Sequence, residues 1–313
     1  MKLLAAIANL LYFANADIFL KNVSNSTNML DMFQHCNSRA DFLNKVNELQ
    51  NILAPNEFIK LYQEFNTILP DIAERQMART VDMINSLGKE YQNFIRKPLS
   101  PNVNFYSAPS GMPSKKKLLI CFCGIANRLL VPIPVFLQTV PQKDFDVLVY
   151  SDPDKTSYLN GIPEFSRSLK DLMSDTKPYV DFQRYMALIS IGTSGGGSAA
   201  LYFGILANID KAISVCGKHR SLAVKKTSNI ELLKFDGFEF DRMIKNHTDK
   251  SKTKMILVYG EKCPRDIYGA LSLKKHLPLS QELIIKDLAE HNSFQYLLAR
   301  GKLKAFIQML LKV

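Results

Sequence analysis

Leu118-Leu-Ile-Cys-Phe-Cys123 is an unbroken apolar run. A strand with one face in water alternates polar and apolar residues. A strand that is apolar throughout is buried on both faces, as inside a parallel sheet. The same texture returns at Phe145-Asp-Val-Leu-Val-Tyr150, at Leu188 to Ile191, at Lys211-Ala-Ile-Ser-Val-Cys216, at Met255-Ile-Leu-Val-Tyr259 and at Leu283-Ile-Ile285. Helical stretches fall between these runs: after Pro132, over 165–173, 180–186, 199–207 and 268–276, and from Asn292 to Val313. Strands alternating with helices predict an α/β fold with a mostly parallel sheet of about six strands.

The first third of the chain has a different period. Phe42, Val46, Leu49 and Leu53 recur at helical spacing, as do Phe58, Leu61, Phe65 and Leu69, and then Met77, Val81, Ile84 and Leu87. Asn56 and Asp71 stand where N-caps are expected. Residues 1–97 therefore read as an all-α region. Pro98, Pro101, Pro109, Gly111 and Pro113 follow among serines and asparagines, so 98–116 reads as a linker or an extended edge segment. Residues 117–313 are the α/β domain, with a polar, irregular insertion over 218–250.

The formal net charge of +11 favours an anionic substrate, partner or surface. The basic residues are dispersed. Lys115-Lys116-Lys117 and Lys250 to Lys254 flank strand starts and read as solvated. No zinc-finger spacing, recognition-helix pattern or aromatic–basic signature is present, so nucleic acid is not an expected partner. Five cysteines, an odd number, suit reduced thiols better than a disulfide framework. His35 and Cys36 are neighbours, but the Cys/His spacing of a metal site is lacking. Lys2, the apolar run after it and Ala14-Asn15-Ala16 resemble a signal peptide, although Asn9 and Tyr12 interrupt the run. The expectation is a cytoplasmic protein, with secretion the alternative. No run is long enough to span a membrane.

The chemistry gathers at Ala187-Leu-Ile-Ser-Ile-Gly-Thr-Ser-Gly-Gly-Gly-Ser-Ala-Ala200. A strand ends at Gly192 and a helix opens just past Ser194. The Gly192-x-Ser194-x-Gly196 spacing bends the backbone sharply and pushes the serine hydroxyl out over a helix N-terminus. By itself this stretch admits a serine nucleophile, a structural Gly/Ser turn or a phosphate-binding turn. The last lacks the Lys-Ser/Thr ending of a P-loop. A nucleophilic serine needs a base and a carboxylate to hold the base. Asp266 follows the strand ending at Gly260, and His291 follows the strand ending at Ile285. Ligand sites in open α/β sheets lie outside the carboxyl ends of the strands, where all three residues would fall. Glu261 is the nearest rival to Asp266, and His276 and His247 compete with His291.

With the elbow and the order Ser, Asp, His in place, the chain from about Leu118 onward resembles an α/β-hydrolase. The resemblance implies Ser194 as nucleophile, His291 as general base and acid, and Asp266 as the orienting carboxylate. It implies oxyanion donors at the Gly195 and Ile125 N–H groups, elbow glycines at Gly192 and Gly196, and no metal or cofactor. Asn127, Arg128 and His219 are candidate substrate contacts. The first two strands of a full hydrolase sheet are not evident, unless Val103 to Ser107 supplies one. Tyr150-Ser-Asp-Pro-Asp, followed by Tyr158-Leu-Asn-Gly161, resembles a segment of bacterial hydrolase-like proteins from surface-polysaccharide gene clusters. The expected function is a serine hydrolase, a carboxylic ester hydrolase first, or an acyltransferase, acting on an ester, thioester or amide of a small molecule or an acylated glycan through an acyl-Ser194 intermediate. The alternative is a non-catalytic interaction protein on this scaffold, its N-terminal helices binding a protein partner.

Overall fold

The structure is a computed structural model that describes residues 39–219 and 237–312, apart from 69 and 110. The signal-like segment, His35, Cys36 and most of the first half of the 218–250 insertion lie outside these residues. The chain divides into two compact units, one of residues up to Gln92 with Pro132–Gln138, the other of Asn93–Val131 with Thr139–Val313.

The first unit holds α1 (Arg39–Leu49) and α2 (Pro55–Ile68). Pro70–Ile72 and a π-helical turn, Ala73–Met77, then run into α3 (Ala78–Ser86). The apolar stripes read from the sequence form its core: Phe42, Val46, Leu49, Leu53, Phe58, Leu61, Phe65, Met77, Val81, Ile84 and Leu87 are all buried. Asn56 and Asp71 are not N-caps. Pro55 and Pro70 open their helices one residue earlier, where a missing N–H costs nothing. Glu57 instead reaches back to accept the Ala54 N–H at 2.8 Å. Gln138, in the helix α4 (Ile133–Thr139), donates to Glu90 O at 2.7 Å and accepts the Gln92 N–H at 2.9 Å.

The second unit is an eight-stranded sheet in the order β1-β2-β4-β3-β5-β6-β7-β8. The strands are β1 (Ile95–Ser100), β2 (Val103–Ser107), β3 (Lys117–Phe122), β4 (Phe145–Tyr150), β5 (Ala187–Thr193), β6 (Lys211–Val215), β7 (Lys254–Gly260) and β8 (Gln281–Ile285). β1 and β2 run antiparallel to their neighbours, and every pairing from β3 to β8 is parallel. Within 98–116, read as a linker or an extended edge segment, lie β2, at the Val103 to Ser107 stretch named as a possible strand, and the second half of β1. Pro98 is tolerated because β1 is an edge strand, and the ladder shifts register beside it. The order, with β2 antiparallel and β3 crossed over beside β5, is that of the α/β-hydrolase fold.

The apolar strands are buried as their composition requires: every residue of β4 is buried, and so is β3 after Lys117. Helix α5 (Leu172–Thr176) and a 3-10 turn at Phe182–Arg184 are all that forms where longer helices were expected over 165–173 and 180–186. Helix α6 (Gly195–Ala207) is buried nearly throughout and packs on β3, β5 and β6. Helix α7 (Gly237–Thr248) packs on α6, and α8 (Pro264–His276) packs on β7. The C-terminal helix breaks at Gly301 (φ 66°) into α9 (Ser293–Ala299) and α10 (Leu303–Leu310).

Lys116 is not solvated. Its Nζ lies 2.9 Å from Asp146 Oδ1 with both side chains almost fully buried, and the Tyr185 hydroxyl donates to Asp146 Oδ2 at 3.0 Å. Phe122, Tyr150, Tyr158 and Phe203 form an aromatic cluster with ring centroids of Phe122 to the other three at 5.1–5.4 Å. The Tyr158 hydroxyl sits between Cys123 O (2.9 Å) and Tyr150 O (2.8 Å), tying the loop after β4 to the carboxyl ends of β3 and β4.

Candidate active site

Ser194 stands between β5 and α6 at φ 50° and ψ −113°, a conformation that costs a non-glycine residue free energy. The turn is held by the Ser194 N–H, which donates to Val215 O at 2.9 Å, and by the Gly197 N–H, which donates to Ser194 O at 3.1 Å. Its tightness comes from two glycines. A Cβ on Gly192 would lie 2.0 Å from Gly196 O, and one on Gly196 would lie 2.3 Å from Phe122 O. Helix α6 therefore starts directly against β3 and β5, with its N-terminus beneath the serine.

His291 follows β8 and precedes α9. Its Nε2 lies 2.9 Å from Ser194 Oγ, and its Nδ1 lies 2.6 Å from Asp266 Oδ1. Asp266 is in the first turn of α8 rather than in a loop, and its side chain is 1% exposed against 21% for His291. Its second oxygen, Oδ2, is buried with no hydrogen-bond partner among the described residues. The Cys216 thiol lies within 4.8 Å of Asp266 and His291 ligand atoms and donates to Ser293 Oγ at 3.4 Å. Burial, and then the charge of Asp266, push this thiol well above its ordinary pKa, so it is a neutral neighbour of the carboxylate. The rivals are engaged elsewhere. Glu261 pairs with Lys286 at 2.9 Å and accepts the Asp287 N–H, and His247 Nδ1 is 2.8 Å from Met243 O.

The loop after β3 passes in front of the elbow. The Gly124 N–H donates to Arg128 O at 3.0 Å and the Asn127 N–H to Gly124 O at 2.9 Å, while Thr193 Oγ1 lies 3.4 Å from Arg128 O. These bonds close the turn and leave the Ile125 N–H without an acceptor among the described residues. A Cβ built on Gly195 would lie 3.8 Å from the Ile125 nitrogen, so the two N–H-bearing segments are adjacent. A cleft of about 430 Å³ opens there, lined by Gly124, Ile125, Ala126, Arg128, Leu130, Lys155, Ser194, Arg265, His291 and Asn292.

Of the candidate contacts, Arg128 reaches this cleft. Asn127 does not line it: at φ 53° its side chain turns inward, and Oδ1 is buried without a partner among the described residues. His219 lines a second cleft, of about 760 Å³, with Tyr202, Asp241 and His276. It stacks on His276 at 3.7 Å and 2°, and its N–H donates to Ser272 Oγ at 3.0 Å. His219, Asp241 and His276 bring ligand atoms within 4.8 Å of one another. With the two rings parallel, however, an ion in the plane of one lies out of the plane of the other, which suits metal ligation poorly. Lys155, Arg265 and Asn292 were not singled out by sequence. Arg265 and Asn292 are the chain neighbours of Asp266 and His291, and that adjacency is the signal by which sequence could have found them. No helix among the described residues is long and apolar enough to cross a membrane.

No protein-family model and no curated protein matches the sequence. Among solved structures the chain is similar to esterase B of Lactobacillus rhamnosis (9% identity over 74% of this chain and 92% of that one, TM-score 0.46). It is also similar to a carboxylesterase of the thaumarchaeon Nitrososphaera gargenis (14% identity, 70% and 96% covered, TM-score 0.42). A third is the capsule O-acetyltransferase of Neisseria meningitidis serogroup A (14% identity, 71% and 97% covered, TM-score 0.44). The fold assignment stands on the strand order and register given above.

Proposed function

We propose that the protein is a serine hydrolase or acyltransferase that cleaves a carboxylic ester or thioester through an acyl-Ser194 intermediate. One observation carries the reading: a single imidazole bridges Ser194 Oγ at 2.9 Å and the buried carboxylate of Asp266 at 2.6 Å. The serine so bridged is held in a strained turn at a helix N-terminus.

In this reading Asp266 accepts the Nδ1–H of His291 and so fixes the tautomer with its lone pair on Nε2. His291 takes the Ser194 proton as Oγ attacks the carbonyl carbon. The tetrahedral oxyanion accepts from the Ile125 and Gly195 N–H groups, and losing one such donor typically costs about 10²–10³ in rate. His291 then protonates the leaving oxygen or sulfur as its bond to carbon breaks. Water resolves the acyl-enzyme in a hydrolase, and a substrate hydroxyl resolves it in a transferase. The strain at Ser194 keeps its Oγ exposed to substrate.

The test is a quenched time course with short-chain acyl esters and thioesters, read by intact mass and by product release. The expected result is a transient acyl adduct on Ser194 that decays with water or transfers to an added sugar. Turnover with no adduct, and undiminished in Ser194→Ala, would contradict the reading.

A further inference from the structure

Among the described residues, three cations and no carboxylate line the cleft in front of Ser194. Arg128 comes from the loop after β3, Lys155 from the loop after β4, and Arg265 from the first turn of α8. All three are exposed. None pairs with a carboxylate among the described residues. The contrast with the adjoining surface is direct. Lys262 pairs with Asp287 at 2.6 Å and Lys286 with Glu261 at 2.9 Å, within a few residues of Arg265 in sequence or across β7 and β8. Lys262 and Lys286 on the adjoining surface are paired with carboxylates, whereas none of the three cations that line the cleft is so paired among the described residues.

Gathering like charges from two loops and a helix start is unfavourable unless something negative enters, and the N-terminus of the long helix α6 adds to the same field. The loops are held in place. Asp152, buried, accepts the Tyr158 N–H at 2.9 Å, and the Lys155 N–H donates to Asp152 O at 3.2 Å. Lys155, Ser157 and Tyr158 take φ values of 56–63°. The Tyr158 hydroxyl then anchors that loop to β3 and β4. Lys155 is thus presented by a bonded turn.

We propose that the substrate carries a phosphate or carboxylate close to its scissile acyl bond, and that Arg128, Lys155 and Arg265 hold that anion. The proposal rests on the reading of Ser194 as nucleophile and narrows its substrate class. Charge-assisted contacts of guanidinium or ammonium to such groups are roughly twice as strong as neutral ones.

The experiment compares kcat/KM for matched O-acetyl esters of one sugar: neutral, phosphorylated and carboxylated. Fluorophosphonate labelling of Ser194 is followed on the same samples. The expected result is a preference for an anionic ester of about tenfold or more, falling as salt is raised. Arg265→Gln and Lys155→Gln should each move the anionic-to-neutral ratio toward one. The two anionic arms decide between phosphate and carboxylate. Equal kcat/KM for all three esters in protein that labels at Ser194 would overturn this proposal alone. Failure of the folded protein to label would remove the nucleophile reading and this proposal with it.

Discussion

Gly196 leans directly on the backbone of Phe122: a Cβ added there would lie 2.3 Å from Phe122 O and 2.6 Å from Cys123 O. Neither atom belongs to a flexible side chain, so a methyl group must push the start of α6 away from β3. Gly196→Ala is expected to destabilise the fold by about 1–3 kcal/mol or more, as overpacking does. Urea denaturation measures it. A wild-type midpoint would mean that α6 does not start against β3.

Asp266→Asn tests the link behind the histidine. The buried carboxylate can only accept from His291, whereas an amide can present a donor to it and favour the wrong tautomer. Loss of about 10⁴ in kcat is expected with the fold intact, as in serine-protease triads. Loss of less than about tenfold would place the orienting carboxylate elsewhere.

The ion pair of Lys116 with Asp146 is buried on both sides. Removing the cation leaves an uncompensated charge, and Lys116→Met is expected to cost about 3–5 kcal/mol. Combining it with Asp146→Asn should recover much of that loss, because the remaining amide carries no charge. A single variant as stable as wild type would show that the pair is open to water.

Asp152 gives a pH signature. Burial, ahead of its other influences, holds its carboxyl above the ordinary carboxylate value in the folded state. The folded protein then keeps this proton to higher pH than the unfolded chain does. Stability is therefore lost as pH rises from the ordinary value through the raised one. Asp152→Asn keeps an acceptor for the Tyr158 N–H and removes the charge. The variant should match wild type well below the ordinary carboxylate range and exceed it at neutral pH, measured by denaturant titration at about pH 3 and about pH 7. A variant less stable than wild type at neutral pH would contradict the burial argument.

Much of this was legible because parallel strands declare themselves. β3 to β7 are apolar runs and β8 ends in one, so the residues after their ends could be read as a group, and Ser194, Asp266 and His291 do meet. The helical stripes of residues 42–87 were legible for the same reason, since burial imposes a period. β1 was not, because Ile95-Arg-Lys-Pro-Leu-Ser100 is a half-exposed edge with a proline, and nothing in its pattern demands a sheet. Lys116 looked like part of a solvated triplet because Asp146 is 30 residues away. His219 follows a strand end as site residues do, yet stacks on His276, and only tertiary structure shows that. The cation cluster at the cleft was hidden likewise, since Arg128, Lys155 and Arg265 converge from two loops and a helix start that sequence spacing does not relate.

The central claim is that Ser194 is an activated nucleophile. Intact-mass and peptide analysis after treatment with a fluorophosphonate measures this directly. One adduct per chain is expected, on Ser194, absent from Ser194→Ala and strongly slowed in His291→Ala. Folded protein that takes up no adduct, or takes it up at another residue with Ser194 unmodified, would contradict it.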